Sequence, residues 1–146
     1  MSVPAWKRKI SKTEYLYQTY QLEKEIVQLI YNTPSKYRHS FGDTLIMDCD
    51  KALLHGRTAN DIWVTDKQSL NYRQYELSQM KSAIDNICTH TYVWLECVRK
   101  HDGISTQKMG KLYERENRIG ELCDIIVGLI NGVKRSDRAR FADSVR

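Results

Sequence analysis

The chain has 146 residues, 41% of them hydrophobic and 28% charged, with only two prolines. That length bounds it to one domain, able to bury about 68–70% of its unfolded surface without a disulfide or metal staple, and its apolar content excludes a disordered body. The net charge is +5. No apolar run reaches the roughly 18 residues of a membrane span, and no apolar segment follows the basic residues at the start, so neither a span nor a secretory signal is expected and a cytoplasmic location is read.

The chain opens on a basic arm, residues 1–11. Lys7, Arg8, Lys9 and Lys12 precede any acid and give a local charge of +4. Ser11-Lys12-Thr13-Glu14 has capping-box spacing and predicts a first helix over about 12–32, with Tyr15, Leu22, Ile26, Leu29 and Ile30 inward. Pro34 ends it, because proline supplies no N–H and pushes its predecessor out of the helical region. Ser35 is placed to cap a second helix over about 36–57, with Phe41, Leu45, Cys49, Ala52 and Leu53 inward and His55-Gly56 as its stop. Lys36 and Arg38 fall in its first turn, where the helix dipole disfavours cations, so an external polyanion is a natural reason for them.

Residues 57–65 read as a loop and Asp66 as the cap of a third helix over 67–101. Leu70, Leu77, Ile84, Thr91 and Val98 recur every seven residues, with Met80, Ile87 and Trp94 or Leu95 between them. Asp102-Gly103-Ile104-Ser105 reads as a tight turn: glycine in the left-handed region, Ile104 covering the preceding turn, Ser105 capping. A fourth helix follows over about 106–133, with Met109, Leu112, Ile119, Leu122, Ile126, Leu129 and Val133 inward. Residues 134–146 read as a basic tail, where Lys134, Arg135, Arg138, Arg140 and Arg146 outnumber Asp137 and Asp143. No segment alternates with period two. The fold class is therefore all-α, an up-down-up-down antiparallel four-helix bundle over 12–133.

Catalytic constellations are missing from this pattern. No glycine-rich phosphate loop and no Glu-x-x-His pair occurs, and His39, His55, His90 and His101 lack ligand spacing. Cys49 with His55 has the residue types of a nucleophile and base, but Cys49 lies on the core stripe. Cys49, Cys88, Cys97 and Cys123 show no Cys-x-x-Cys pair and read as reduced core thiols. No enzymatic activity, metal or cofactor is expected. Near-neutral residues 13–133 flanked by basic ends point to an anionic partner, and local charge density singles out Lys7, Arg8, Lys9, Lys36, Arg38, Lys134 and Arg135 as candidate nucleic-acid contacts. Tyr17, Tyr20, Tyr31, Trp63, Tyr72, Tyr75, Tyr92, Trp94 and Tyr113 exceed what one narrow core holds, and Gly120 and Gly128 lie eight apart on one helix face; both features suggest self-association.

Three stretches also carry a family resemblance. Pro34 through Leu45 is similar to a Pro-Lys-x-x-Arg-x-x-Leu-Gly-Asp helix opening. Ile104-Ser105 with Tyr113 resembles a turn into a last helix. Ile119-Gly120-Glu121-Leu122 with Gly128-Leu129 is similar to Ile-Gly-Arg-x-Leu-Gly-Gly-Trp, although Glu121 and Leu129 stand where arginine and tryptophan are common. Over roughly Tyr20 to Val133 the chain resembles the accessory variability determinant (Avd) proteins of diversity-generating retroelements, within a four-helix-bundle family that includes proteins encoded in intervening sequences of 23S rRNA genes. The resemblance implies a non-enzymatic basic homopentamer that binds RNA or DNA and partners a reverse transcriptase during mutagenic retrohoming. The alternatives are a stand-alone bundle of the rRNA-intervening-sequence type and a protein–protein adaptor without nucleic acid.

Overall fold

The four apolar stripes become four α-helices among the described residues: α1 (Ala5–Asn32), α2 (Asp43–Asp61), α3 (Lys67–His101) and α4 (Thr106–Val145). The computed structural model describes the backbone of residues 5–101 and 103–145, and the side chains of residues 13–100 and 103–142. No strand occurs among them.

Each helix runs antiparallel to its neighbours around a ring. Tyr15 Oη of α1 donates to the Gly56 carbonyl of α2 at 3.3 Å. His55 and His90 meet Glu76 and Asp48 across α2 and α3, at 2.5 and 2.7 Å. Gln74 of α3 donates to the Lys134 carbonyl of α4 at 3.2 Å. Glu25 of α1 closes the ring on Arg115 of α4 at 3.5 Å. The core holds Tyr15, Leu22, Ile26, Leu45, Cys49, Leu77, Ile84, Ile87, Ile119 and Ile126, with both Trp94 and Leu95 inside. Ile30, Phe41, Leu122, Leu129 and Val133 pack on its edge, half-buried. Phe41 stacks on Trp94 with ring centroids 6.0 Å apart. Burial of these side chains out of water is the main stabilising term.

The local signals divide. Asp66 Oδ1 accepts the Ser69 N–H at 2.7 Å while Ser69 Oγ accepts the Asp66 N–H at 3.0 Å, a reciprocal cap that opens α3. The same hydrogen bond from the Ser69 N–H holds the Asp66 carboxyl below its usual value. Gly103 has φ +57° and Ser105 Oγ accepts from the Lys108 N–H at 3.3 Å, so the turn into α4 forms as expected.

Four expectations are corrected. Ser11-Lys12-Thr13-Glu14 lies inside α1, which begins at Ala5, and is no helix start. Ser35 makes no cap: a 3-10 turn at Ser35–Tyr37 and a π turn at Arg38–Gly42 precede α2, which opens at Asp43. His55-Gly56 does not stop α2, which continues to Asp61. Gly56 is instead a crossing point, where a Cβ would meet Met80 Sδ at 2.8 Å and Leu16 Cδ2 at 2.9 Å. Finally, α4 does not stop near Val133 but runs on through the stretch read as a tail. Cys88 and Cys97 are half-buried, whereas Cys49 and Cys123 are in the core as expected.

Candidate nucleic-acid interface

Beyond Val133 the helix needs a reason to stay docked, because its composition is mostly polar. Asp137 supplies it. Its side chain is wholly buried against α3, where Arg73 Nε approaches Oδ2 to 2.6 Å in a close ion pair whose angles fall short of a hydrogen bond. Arg140, one turn on, takes the other oxygen at 2.5 Å. Arg73 also donates to the Ile62 carbonyl at 3.2 Å, so the α2–α3 connection, α3 and α4 are tied at one point. A buried carboxylate between two guanidinium groups satisfies the charges it would otherwise strand.

That tie aims a row of cations along one groove. Gly128, Asn131, Lys134, Arg135 and Arg138 line a groove of about 480 Å³. No carboxylate is among its lining residues. Lys134 Nζ donates to Ser78 Oγ at 2.8 Å, and Arg138 reaches Gln74 Oε1 at 3.5 Å. The Lys134 ammonium is held below its ordinary pKa by burial, then by the positive charges of Arg138 and Lys81. Lys134, Arg135 and Arg138 crowded on one stretch of helix form a local positive potential that an anion relieves.

A second hollow lies at the same end of the bundle. Tyr72 and Tyr75 stand on the first turns of α3, 60% and 58% exposed, beside Lys67, Gln68 and Asn71 in that open hollow. The antiparallel order also sets the opening turns of α1 at this end, so the backbone of Lys7, Arg8 and Lys9 lies there; their side chains fall outside the described residues.

The other expected contacts are elsewhere. Lys36 and Arg38 sit at the opposite end, on the α1–α2 connection. Lys36 Nζ lies 5.4 Å from the Tyr37 ring centre and the side chain is exposed. Arg38 is half-buried: Nη2 donates to the Tyr31 carbonyl at 3.5 Å and the guanidinium lies 5.7 Å from the Tyr31 ring centre. Gly120 and Gly128 face open space, each without another atom in reach of a Cβ. Gly120 borders a groove with Glu116, Glu121 and Asp124, and Gly128 the basic one, so they flank surfaces of opposite charge. Lys81, Arg138, Tyr72 and Tyr75 are not among the nucleic-acid contacts expected from the sequence, where the two tyrosines count toward the aromatic surplus that suggests self-association. The i,i+4 spacing of Lys134 and Arg138 would have found Arg138 once residues 134–145 were read as helix.

Other titratable groups pair internally. His55 and His90 are engaged with Glu76 and Asp48, and exposed His39 lies 3.8 Å from Asp43. No group of three or more possible metal ligands comes together among the described residues. No helix among them is long and apolar enough to cross a membrane. The chain matches no family model, no curated protein and no solved structure.

Proposed function

We propose that this protein is a non-enzymatic nucleic-acid-binding bundle, which receives a phosphate backbone along the basic groove of α4. The carrying observation is the cation row Lys134, Arg135 and Arg138, held on a docked helix with no acid in the groove lining, with the charge of Lys81 on α3 felt at Lys134. Tyr72 and Tyr75 at the same end offer rings on which unpaired bases stack, which favours a single-stranded ligand. The resemblance to accessory variability determinant proteins adds RNA or DNA as the ligand, a reverse transcriptase as partner, and self-association to five copies. Exposed Tyr17, Tyr20, Tyr31, Trp63 and Tyr92 support self-association, and the number five rests on the resemblance alone.

Counterion release sets the test. Fluorescence anisotropy with a labelled single-stranded RNA, repeated over a salt series, should show affinity falling steeply as salt rises. The Arg135→Glu/Arg138→Glu variant should lose affinity and flatten the log–log slope by about 1 for each phosphate contact removed. Tyr75→Ala should lose about 1–3 kcal/mol of binding with the slope unchanged, because stacking releases no counterions. A flat salt response in the unaltered chain rejects the proposal.

A further inference from the structure

Beyond Ile130, one residue among those described in α4 is buried, and it is an acid. Asp137 is 1% exposed, whereas every other residue of 131–142, Val133 and Phe141 included, is half-buried or exposed. No apolar side chain anchors these turns by full burial, and a free helical end of about a dozen residues is marginal in water. The anchor is ionic: Arg73 of α3 on one carboxylate oxygen, Arg140 on the other. The three cations of the basic groove stand within one turn of this anchor, Lys134 and Arg135 before it and Arg138 after it. At about 100° per residue they fan over the outer side of the helix while the carboxylate points to α3. Their contacts to α3 depend on the same docking. Gln74 donates to the Lys134 carbonyl at 3.2 Å and accepts from Arg138 at 3.5 Å, and Ser78 Oγ accepts from Lys134 Nζ at 2.8 Å. Two guanidinium groups offset the one negative charge, so the acid does not oppose an anion outside the helix.

We propose that Asp137 is a positioning residue for the ligand of this groove: an acid that a phosphate backbone requires, because it holds the helix end on which Lys134, Arg135 and Arg138 stand side by side. The inference rests on the nucleic-acid reading and adds a regulation of that same site. A backbone that bridges the three cations binds the docked helix end better than a frayed one, so it shifts the end of α4 toward the docked state. By reciprocity, whatever loosens the Asp137 pair weakens the ligand. Charge and position pull in opposite directions here. Asp137→Asn keeps the shape of the side chain, removes a negative charge one turn from three cations, and frees Arg140. Were charge alone to govern binding, RNA affinity would rise. With Asp137 as the positioning residue, affinity falls.

Fluorescence anisotropy on the full chain, with a labelled single-stranded RNA over a salt series, reads the sign directly. Asp137→Asn should bind about tenfold more weakly, with a log–log slope flatter by about 1–2 as cations disengage from phosphates. Leu45→Ala, a core cavity at the opposite end of the bundle, controls for lost stability and should leave affinity unchanged. Hydrogen exchange followed by mass spectrometry should show 134–142 losing protection in Asp137→Asn and regaining it at saturating RNA, with 77–98 of α3 protected throughout. An Asp137→Asn affinity equal to or above that of the unaltered chain overturns the proposal. So does protection of 134–142 that survives the substitution, or an equal loss of affinity in Leu45→Ala. Absence of RNA binding by the unaltered chain rejects the nucleic-acid reading and this inference together, whereas binding that withstands Asp137→Asn rejects this inference alone.

Discussion

Asp137 has a side chain with no exposed surface, and one guanidinium on each oxygen. Removing the carboxylate strands Arg73, which is only 15% exposed. Asp137→Ala should therefore cost about 3 kcal/mol, the scale for breaking one side of a buried pair. Urea denaturation measures this, and a loss under about 1 kcal/mol would mean that water reaches Arg73 freely. Adding Arg73→Leu to Asp137→Ala should recover part of the loss, because no charge is then left unpaired. Nothing in the sequence announces this pair. Its members are 64 positions apart, and Asp137 sits among four basic residues that read as a solvated tail. Arg38 is engaged as well. Its charge and position at a helix start look like a free contact, whereas the side chain is turned back onto Tyr31 at the end of α1. Charge is visible in a sequence; which charges are engaged depends on neighbours that only the fold supplies.

Elements were legible where a cap is local and opaque where packing decides. Asp66, Gly103 and Ser105 act within four residues of themselves, so their roles follow from their identities. The four core stripes follow from period 3.6 alone. The end of α2 does not. Gly56 has a stop signal's composition, but α1 and α3 close in upon it, and the small residue answers that crowding. Two substitutions separate the roles. Gly56→Ala gains about 1 kcal/mol in helix propensity, offset by the shift that the flexible ends of Met80 and Leu16 must make, and should be near neutral. Gly56→Val adds branched bulk that those ends cannot clear and should destabilise by about 1–3 kcal/mol. If Gly56 ended α2 in a left-handed cap, alanine would itself destabilise by about 1–2 kcal/mol, so the thermal melt of Gly56→Ala distinguishes the cases.

For the whole molecule, the buried titratable groups set an alkaline limit. Burial, with lesser effects of Glu23 and Asp48, raises the Cys49 thiol well above its ordinary 9.0. Burial likewise raises Tyr15 above 10.0. Below those ordinary values both groups are neutral whether the chain is folded or not, and they make no difference. Above them the unfolded chain releases protons that the folded chain retains, so stability falls as pH rises. The slope is about 1.4 kcal/mol per pH unit for each group, with Cys49 acting from about pH 9 and Tyr15 joining from about pH 10. Cys123, raised as well, also acts from about pH 9, whereas Cys88, lowered, changes stability only below that. Melting temperature followed from about pH 8 to pH 11 should decline with a steepening slope, and Cys49→Ser should make the decline between about pH 9 and pH 10 shallower.

The ring of helices is closed by one pair that is remote in sequence. α1 meets α2, α2 meets α3 and α3 meets α4 across short connections, whereas α1 meets α4 through contacts such as Glu25 with Arg115, 90 residues apart. Bringing distant segments together costs loop-closure entropy before it gains contacts, so the hairpins nucleate and the α1–α4 seam zips last. The barrier to unfolding is then the undocking of α1. Stopped-flow kinetics should show Leu22→Ala, in the core of α1, chiefly accelerating unfolding, and Leu77→Ala, in the core of α3, chiefly slowing refolding.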